Sequence, residues 1–418
     1  MSSNSPNGAT LDRITYGSGE PFLINRDRQS TKHFRGVYQW HPPFKFELDR
    51  LANADNLFKV FDGLKKVGGK ATGVDGLSYD DFSPSEIWDA LRNLATSILT
   101  PTSQLEYLPQ PVNIVRIPKG DGRYRELALL TILDRVVAKG MDLALRPIWR
   151  LRLPKFGHDV FRLFARLERK IRDRRQYTLA ISDIENCFPS TPLSPVMDLH
   201  RRVLGHDDAL LRLVAKIIRC QDGTEIGLQQ GSCYSPVAME LFLHHCLDSA
   251  MEDQAPLSPL LLRYVDNLTF LCDNEDQGNR VLNRAALTLG RYNMNLKPSA
   301  LDIIDLRYNQ NVPMLGFVPG WKDGSLSLSI PEDSFESLGQ RVIKAMAMKD
   351  HKRVVKHLVL SWTRSQGPAL TKAVARKVSN RVIDICNQIG FRSIQKREIR
   401  DTAKIAYRDW SLLVSNRN

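Results

Sequence analysis

The chain has 418 residues, 42% of them hydrophobic, so its length allows one large enzyme body or two to three domains. Its 59 basic and 46 acidic residues give a formal net charge of +13, which suits a polyanionic partner such as nucleic acid, with a merely basic surface as the alternative. The six cysteines form no CxxC pair, so we expect neither a zinc site nor a disulfide framework. The opening residues are polar and no long apolar run occurs, so we expect a cytoplasmic protein without a membrane helix.

The first half of the chain predicts helices on either side of one hairpin. Arg35–Arg50 mixes aromatic and basic residues, which indicates a strap packed on its neighbours or, as the alternative, a surface that stacks on nucleic acid. Apolar residues at helical spacing predict helices over 52–67, 86–98 and 132–145. Alternation over 112–117 predicts a strand, and a turn at 120–122 would bring the cations Lys119 and Arg125 together.

Two short apolar stretches in the middle of the chain lead into acids. Leu179–Asp183 is typical of a strand that ends in an acid. Leu260–Cys272 contains two β-prone runs separated by Asp266 and Asn267, so it predicts a hairpin with these two residues at its turn. If the strands are neighbours in one sheet, the two carboxylates lie side by side, which suits Mg²⁺ ions in phosphoryl transfer. An ordinary surface hairpin is the alternative.

The last part of the chain predicts a basic helical domain. Trp321–Gly324 is typical of a hairpin turn, and helical spacing follows over 334–348, 351–364, 369–389 and 393–414. Between residues 341 and 418, 18 Lys or Arg residues face 5 acids, so this segment carries a net charge of +13, as large as that of the whole chain. We expect such helices to hold a nucleic acid duplex by its phosphates.

Seven motifs in chain order resemble those of reverse transcriptases. LAISDIENCFPS, GLQQGSCYSP and RYVDN resemble the three central palm motifs, and MNLKPS and MLGF resemble the two motifs that close the palm. TGVDGLSYDDF and the segment 112–141 resemble the fingers of the group II intron, retron and bacterial defence-associated branch. The similarity covers residues 73–317, and the shared order of the motifs makes it specific.

This resemblance implies an α/β (α+β) fold of the right-hand polymerase type, with fingers, an antiparallel-sheet palm and a helical thumb. The predicted parts are an N-terminal extension at 1–50, fingers with part of the palm at 51–175, the palm at 176–325 and a basic thumb at 326–418.

The resemblance also assigns roles to single residues. The metal ligands would be Asp183, the backbone of Ile184 and Asp266, and Lys297 would protonate the departing pyrophosphate. The residues at the incoming nucleotide and template would be Lys119, Arg125, Phe188, Gln230 and Gly231. The primer grip would consist of Leu315, Gly316 and Phe317. A ring at Phe188 beneath the sugar would exclude a 2′-hydroxyl and so select deoxynucleotides, with a core phenylalanine as the alternative.

The chain departs from the family pattern at three positions. Asn267 stands where relatives have a second consecutive acid, so we expect an altered metal affinity and a preference for Mn²⁺ over Mg²⁺. Gln229 replaces a common proline, which weakens the resemblance little. Glu240 replaces a common asparagine, which puts the nucleotide contact of that helix in doubt.

The activity implied is RNA-directed DNA synthesis by two-metal nucleotidyl transfer, with an RNA template, a DNA primer and dNTPs as partners. The closest resemblance is to bacterial defence-associated (abortive-infection-type) enzymes, which implies a dedicated non-coding RNA. A second copy or a partner protein stays open, and no membrane partner is expected. The alternatives are a template-independent DNA polymerase of the same family and a catalytically inactive palm that acts as an RNA-binding or assembly subunit.

Overall fold

The structure, a computed structural model, describes residues 48–67, 71–99, 106–118, 124–153, 159–205, 207–219, 225–252, 258–308 and 311–415. Its helices are α1 (Leu48–Leu51), α2 (Ala54–Val67), α3 (Pro84–Leu99), α4 (Ile132–Arg152), α5 (Val160–Arg174), α6 (Cys187–Ser190), α7 (Leu193–Leu204), α8 (Asp208–Arg219), α9 (Ser235–Leu243), α10 (Ser249–Met251), α11 (Glu275–Gly290), α12 (Glu332–Met346), α13 (His351–Ser365), α14 (Lys372–Gln388) and α15 (Lys396–Ser415). Its strands are β1 (Asn113–Pro118), β2 (Tyr124–Leu129), β3 (Thr178–Asp183), β4 (Leu260–Tyr264), β5 (Asn267–Cys272), β6 (Asp302–Asp305), β7 (Val318–Lys322) and β8 (Ser325–Ser329).

These helices and antiparallel strands confirm the predicted mixed fold class, and most predicted elements agree with the observed bounds within a few residues. The prediction for α4 was too short, because the helix continues through Pro147 to Arg152. A proline inside a helix removes one backbone hydrogen bond. Burial of Ile148 and Trp149 explains why the helix continues past it. Residues 35–47 of the predicted strap Arg35–Arg50 and the predicted turn at 120–122 lie outside the described residues, whereas residues 48–50 belong to α1.

The described residues form two compact units, the first of which takes them from 1–156, 186–249 and 292–294. Its central helix α4 contacts α2, α8 and α9. Fully buried aromatic side chains, Trp149, Tyr234 and Phe242, fill its core. Strands β1 and β2 form an antiparallel hairpin in this unit, as the alternating pattern predicted.

The second unit takes its residues from 157–185, 250–291 and 295–418. Within these residues, an antiparallel sheet has the strand order β4-β5-β3-β6. Helix α11 packs on it so closely that a Cβ added at Gly278 would lie 3.3 Å from the Cβ of Ala180. Helices α12 to α15 have a hydrophobic core of their own that includes Leu338, Val359 and Val382. Within the described ranges, every helix is too short or too polar to cross a membrane.

Candidate active site

The predicted acid Asp183 is the last residue of β3, in the middle of the four-stranded sheet. Its cross-strand partner on β5 is Asn267. The N–H of Ile184 donates to the carbonyl of Asp266 at 3.1 Å, which makes Asp183 and Asn267 a non-hydrogen-bonded pair. Side chains of such a pair lie on one face of the sheet and approach more closely than those of hydrogen-bonded pairs. Strands β3 and β5 therefore bring Asp183 of the first palm motif next to Asn267 of the RYVDN motif.

The hairpin that carries Asp266 differs by one residue from its prediction. Tyr264 pairs with Asn267, so the two-residue turn consists of Val265 and Asp266, whereas Asn267 already belongs to β5. Val265 has φ 55°, a left-handed conformation that costs a β-branched residue about 1–2 kcal/mol. The buried Arg263 supports this strained turn, because its Nη1 donates to the carbonyl of Val265 at 2.9 Å.

Asn267 has a second role besides pairing across the strands. Its Nδ2 donates to Oδ1 of Asp266 at 3.2 Å. The amide therefore lies beside both acids, opposite Asp183 and hydrogen-bonded to Asp266. An aspartate at this position would offer no donor and would add a negative charge to the group. The neutral amide thus lowers the electrostatic repulsion around the pair of carboxylates.

The carboxylates of Asp183 and Asp266 fit a hard divalent cation. Both side chains are partly exposed and offer oxygen ligands, the type that Mg²⁺ and Mn²⁺ prefer. In the part of the chain that the structure describes, no group of three or more His, Cys, Asp or Glu residues could hold a metal ion. A cation here would therefore take the rest of its ligands from backbone carbonyls, water or substrate phosphates, as Mg²⁺ sites with one or two carboxylates do.

Two further predicted residues, Lys297 and Ile184, lie beside Asp183. The N–H of Lys297 donates to the carbonyl of Asp183 at 2.7 Å. The buried Ile184 pairs with Leu296 in an isolated antiparallel bridge. These contacts hold the MNLKPS segment against the end of β3, so the predicted metal ligands and the predicted general acid belong to one local structure.

The predicted primer grip is a tight turn in the same unit. Met314 and Phe317 exchange both backbone hydrogen bonds, at 2.6 and 3.0 Å. Leu315 and Gly316 between them have φ 49° and 85°, as the mirror-image turns of hairpins require. Oγ1 of Thr269 on β5 contacts Sδ of Met314 at 3.8 Å. The turn is thereby packed on the strand that begins at Asn267.

The predicted sugar gate, Phe188, lies on the short helix α6 in the first unit and is partly buried. Its carbonyl accepts the N–H of Leu228 at 2.8 Å, so it is tied to the GLQQG loop. Gly227 has φ 105°, and a Cβ added there would lie 3.3 Å from the carbonyl oxygen of Pro189. The glycine therefore permits a close approach of loop and helix.

Gln230 and Gly231 lie against strand β2. The carbonyl of Gln230 accepts the N–H of Ala128 at 2.7 Å. Gly231 has φ 127°, and an added Cβ would lie only 2.3 Å from the carbonyl oxygen of Ala128, so no larger residue fits. The exposed Arg125 lies on the same strand, whereas Lys119 lies outside the described residues. The first unit thus joins Phe188, the GLQQG loop and the β1–β2 hairpin.

Sequence reasoning missed the buried pair of His200 and Tyr234. Nδ1 of His200 lies 2.8 Å from the carbonyl of Val196, and Nε2 lies 3.1 Å from the hydroxyl of Tyr234. Burial lowers the pKa of His200 to about 4, so the ring is neutral at pH 7. Neutral His200 donates to the carbonyl of Val196 and accepts from the hydroxyl of Tyr234. These bonds fix Tyr234, the residue that follows the GLQQGSC segment. Only the tyrosine in that motif hinted at this contact.

Comparison with known proteins identifies the domain. Residues 117–319 match the family model described as reverse transcriptase (RNA-dependent DNA polymerase). This part of the chain, just under half of its length, is thus similar to a reverse transcriptase domain. The match contains every predicted site residue and agrees with the predicted enzyme class. The helices and the antiparallel sheet confirm the predicted mixed fold class.

Solved structures with similarity to this chain include telomerases from two Candida species. Telomerase from Candida albicans, solved with the TWJ fragment of telomeric RNA, is 13% identical with a TM-score of 0.37, over 74% of this chain and 64% of that one. Apo telomerase from Candida tropicalis is 12% identical with a TM-score of 0.44, over 77% of this chain and 69% of that one. The chain thus spans about two thirds of these relatives. No curated protein matches it.

Proposed function

We propose that this protein copies RNA into DNA, and that Asp183 and Asp266 form its catalytic centre. The observation that carries the proposal is the junction of β3 and β5, where the Ile184 N–H bonds the Asp266 carbonyl beside the pair of Asp183 and Asn267. Two divalent cations held by these carboxylates would neutralise the phosphate charge that develops when a primer 3′-hydroxyl attacks a dNTP. We infer Mg²⁺ or Mn²⁺, because the side-chain ligands are oxygens.

The remaining residues then act on the nucleotide. Lys297, anchored by its backbone to Asp183, would donate a proton to the departing pyrophosphate. Phe188 would restrict the sugar to deoxyribose, and its bond to Leu228 would hold it in place. Arg125 would bind the triphosphate, and the turn at Leu315–Gly316 would hold the primer strand.

We further propose that the protein acts in bacterial anti-phage defence, in the cytoplasm, with a dedicated non-coding RNA. The motif resemblance to the defence-associated branch supports this role. RNA that co-purifies with the protein from its native host, identified by sequencing, should be one dominant species. Phage plating efficiency should rise in cells that carry Asp183→Asn. A heterogeneous RNA pool and unchanged plating would contradict the defence role but not the polymerase.

A specific residue favours a second candidate, an inactive palm that binds RNA. Asn267 occupies the position directly opposite Asp183, where the family pattern has an acid. Primer extension with an RNA template, with a DNA template and without template separates the candidates. The proposal predicts extension that requires RNA. Extension without any template would indicate a template-independent polymerase, and no extension with either metal would indicate the inactive palm.

A further inference from the structure

A cavity with cationic walls opens between α14 and α15 in the second unit. Its volume is about 570 Å³, within the range of roughly 300–1,000 Å³ that is usual for small-molecule sites. The charged residues that line it are Lys372 and Arg376 on α14 and Arg400, Lys404 and Arg408 on α15. Among the described residues, no carboxylate lines the cavity.

The spacing of these cations concentrates positive charge on one face of each helix. Lys372 and Arg376 are four residues apart, as are Arg400, Lys404 and Arg408 in turn. Like charges four residues apart on a helix repel each other and destabilise it. Without a ligand, this repulsion destabilises the folded helices. An anion bound between the side chains would replace the repulsion with attraction.

Nearby acids compensate this charge only in part. Asp401 lies 3.5 Å from Lys404, and Asp409 lies 3.4 Å from Arg408. The other cations of the cavity, which make no ion pair with any described residue, are Lys372, Arg376 and Arg400. The cavity therefore keeps a net positive charge.

Arg400 adds an unsatisfied donor to this charge. Its Nε is buried and has no acceptor among the described residues. A buried donor without an acceptor costs free energy, which a bound oxygen anion would recover. The planar guanidinium group matches phosphate, to which it can donate two parallel hydrogen bonds. The missing acceptor is therefore best supplied by a phosphate oxygen.

The rest of the cavity suits a base. Its uncharged lining consists of Leu370, Ala375 and the ring of Tyr407. Aromatic rings stack on nucleic acid bases with little sequence preference. The N-terminus of α14, capped by Thr371, is also close to the lining residue Lys372 and adds a partial positive charge. An aromatic, apolar wall beside a cationic one matches the two ends of a nucleotide.

We propose that this cavity binds a single nucleotide unit, with its phosphate groups on Arg376 and Arg400 and its base on Tyr407. The site is separate from Asp183 and Asp266 in the chain and does not depend on the proposed polymerase activity. The unit can be a free nucleotide or one residue of a single strand, since both present a phosphate and a base. Calorimetry with one probe of each kind distinguishes these sources.

Binding to the full-length protein is measured by calorimetry in EDTA, so that the carboxylate site holds no metal. The probes are ADP and an oligothymidylate of about 12 nucleotides. Arg376→Gln with Arg400→Gln removes two cavity cations. Lys377→Gln with Arg397→Gln is the matched control, because it removes the same charge from the same helices outside the cavity. The cavity double variant should bind the probe that wild type binds roughly tenfold more weakly. The control variant should bind it with an affinity within about twofold of wild type.

Hydrogen exchange of the complexes should show protection in α14 and α15. Tyr407→Leu should weaken binding of ADP but not of inorganic pyrophosphate, since only the base contact is lost. Binding of ADP identifies a free nucleotide as the ligand, and binding of the oligothymidylate alone identifies a strand. The proposal is overturned if neither probe protects these helices, or if both double variants weaken binding equally.

Discussion

The hydrogen bond from Asn267 to Asp266 allows a quantitative prediction for Asn267→Asp. The substitution removes the 3.2 Å donor and places a third carboxylate opposite Asp183. At about 5 Å, the usual Cβ spacing of such pairs, each new repulsion is about 3 kcal/mol at an effective dielectric constant of 20. Partial exposure of the side chains reduces this to about 1 kcal/mol for each neighbour. Without metal, the variant should lose about 2 kcal/mol of unfolding free energy.

A bound cation reverses the sign of this effect, because the added charge then attracts the metal. Urea denaturation in EDTA should show the loss of stability, and saturating Mg²⁺ should remove it. The Mg²⁺ concentration for half-maximal nucleotide incorporation should fall about tenfold, which corresponds to about 1.4 kcal/mol. Wild type should perform better with Mn²⁺ than with Mg²⁺ at low metal concentration, and the variant should lose this difference.

Asn267→Ala is the control, since it removes the hydrogen bond without adding charge. It should require at least as much Mg²⁺ as wild type. Superimposable Mg²⁺ curves for wild type and Asn267→Asp, together with equal stability in EDTA, would refute the placement of Asn267 between the two acids.

Three other predictions follow from the first unit. Phe188→Ala should raise ribonucleotide incorporation relative to deoxynucleotide incorporation in competition assays, and an unchanged ratio would place the sugar gate elsewhere. Gly231→Ala should lower the unfolding free energy by more than about 2 kcal/mol, because its Cβ would meet the Ala128 carbonyl, whereas Gly290→Ala, with no atom within 4 Å, should be neutral. Unfolded His200 binds a proton near pH 6.5 but the folded residue only near pH 4, so stability should fall by up to about 3 kcal/mol as pH falls through this window. Urea midpoints should decline less steeply for His200→Gln, and parallel declines would contradict the assigned burial.

The sequence predicted the partners in the sheet better than the details of the turn. Asp183 at the end of a strand and the hairpin at Asp266 both follow from short-range patterns, and the structure contains both. The turn was predicted one residue too late, because Asp and Asn favour turns and valine favours strands. Asn267 pairs with both β3 and β4, and Arg263 donates a hydrogen bond to the turn. These contacts outweigh the local preferences.

Contacts between distant segments were beyond prediction. The neutral His200 depends on burial beneath Trp149 and on Tyr234, 34 residues later in the chain. The π-helical turn His244–Asp248 has no local signal either, since its residues continue an ordinary helical pattern. The cavity at Arg400 needs both α14 and α15 in place, so the sequence revealed only its charge.

The central claim is tested most directly by single-turnover incorporation of one dNMP onto a DNA primer annealed to RNA. The proteins are wild type, Asp183→Asn, Asp266→Asn and the control Asp273→Asn, which changes an acid bonded to Gln176 at the opposite end of β5. Wild type and the control should extend the primer at similar rates. Both active-site variants should give no detectable product while their far-ultraviolet circular dichroism matches wild type. Extension by either of them near the wild-type rate would contradict the assigned catalytic centre.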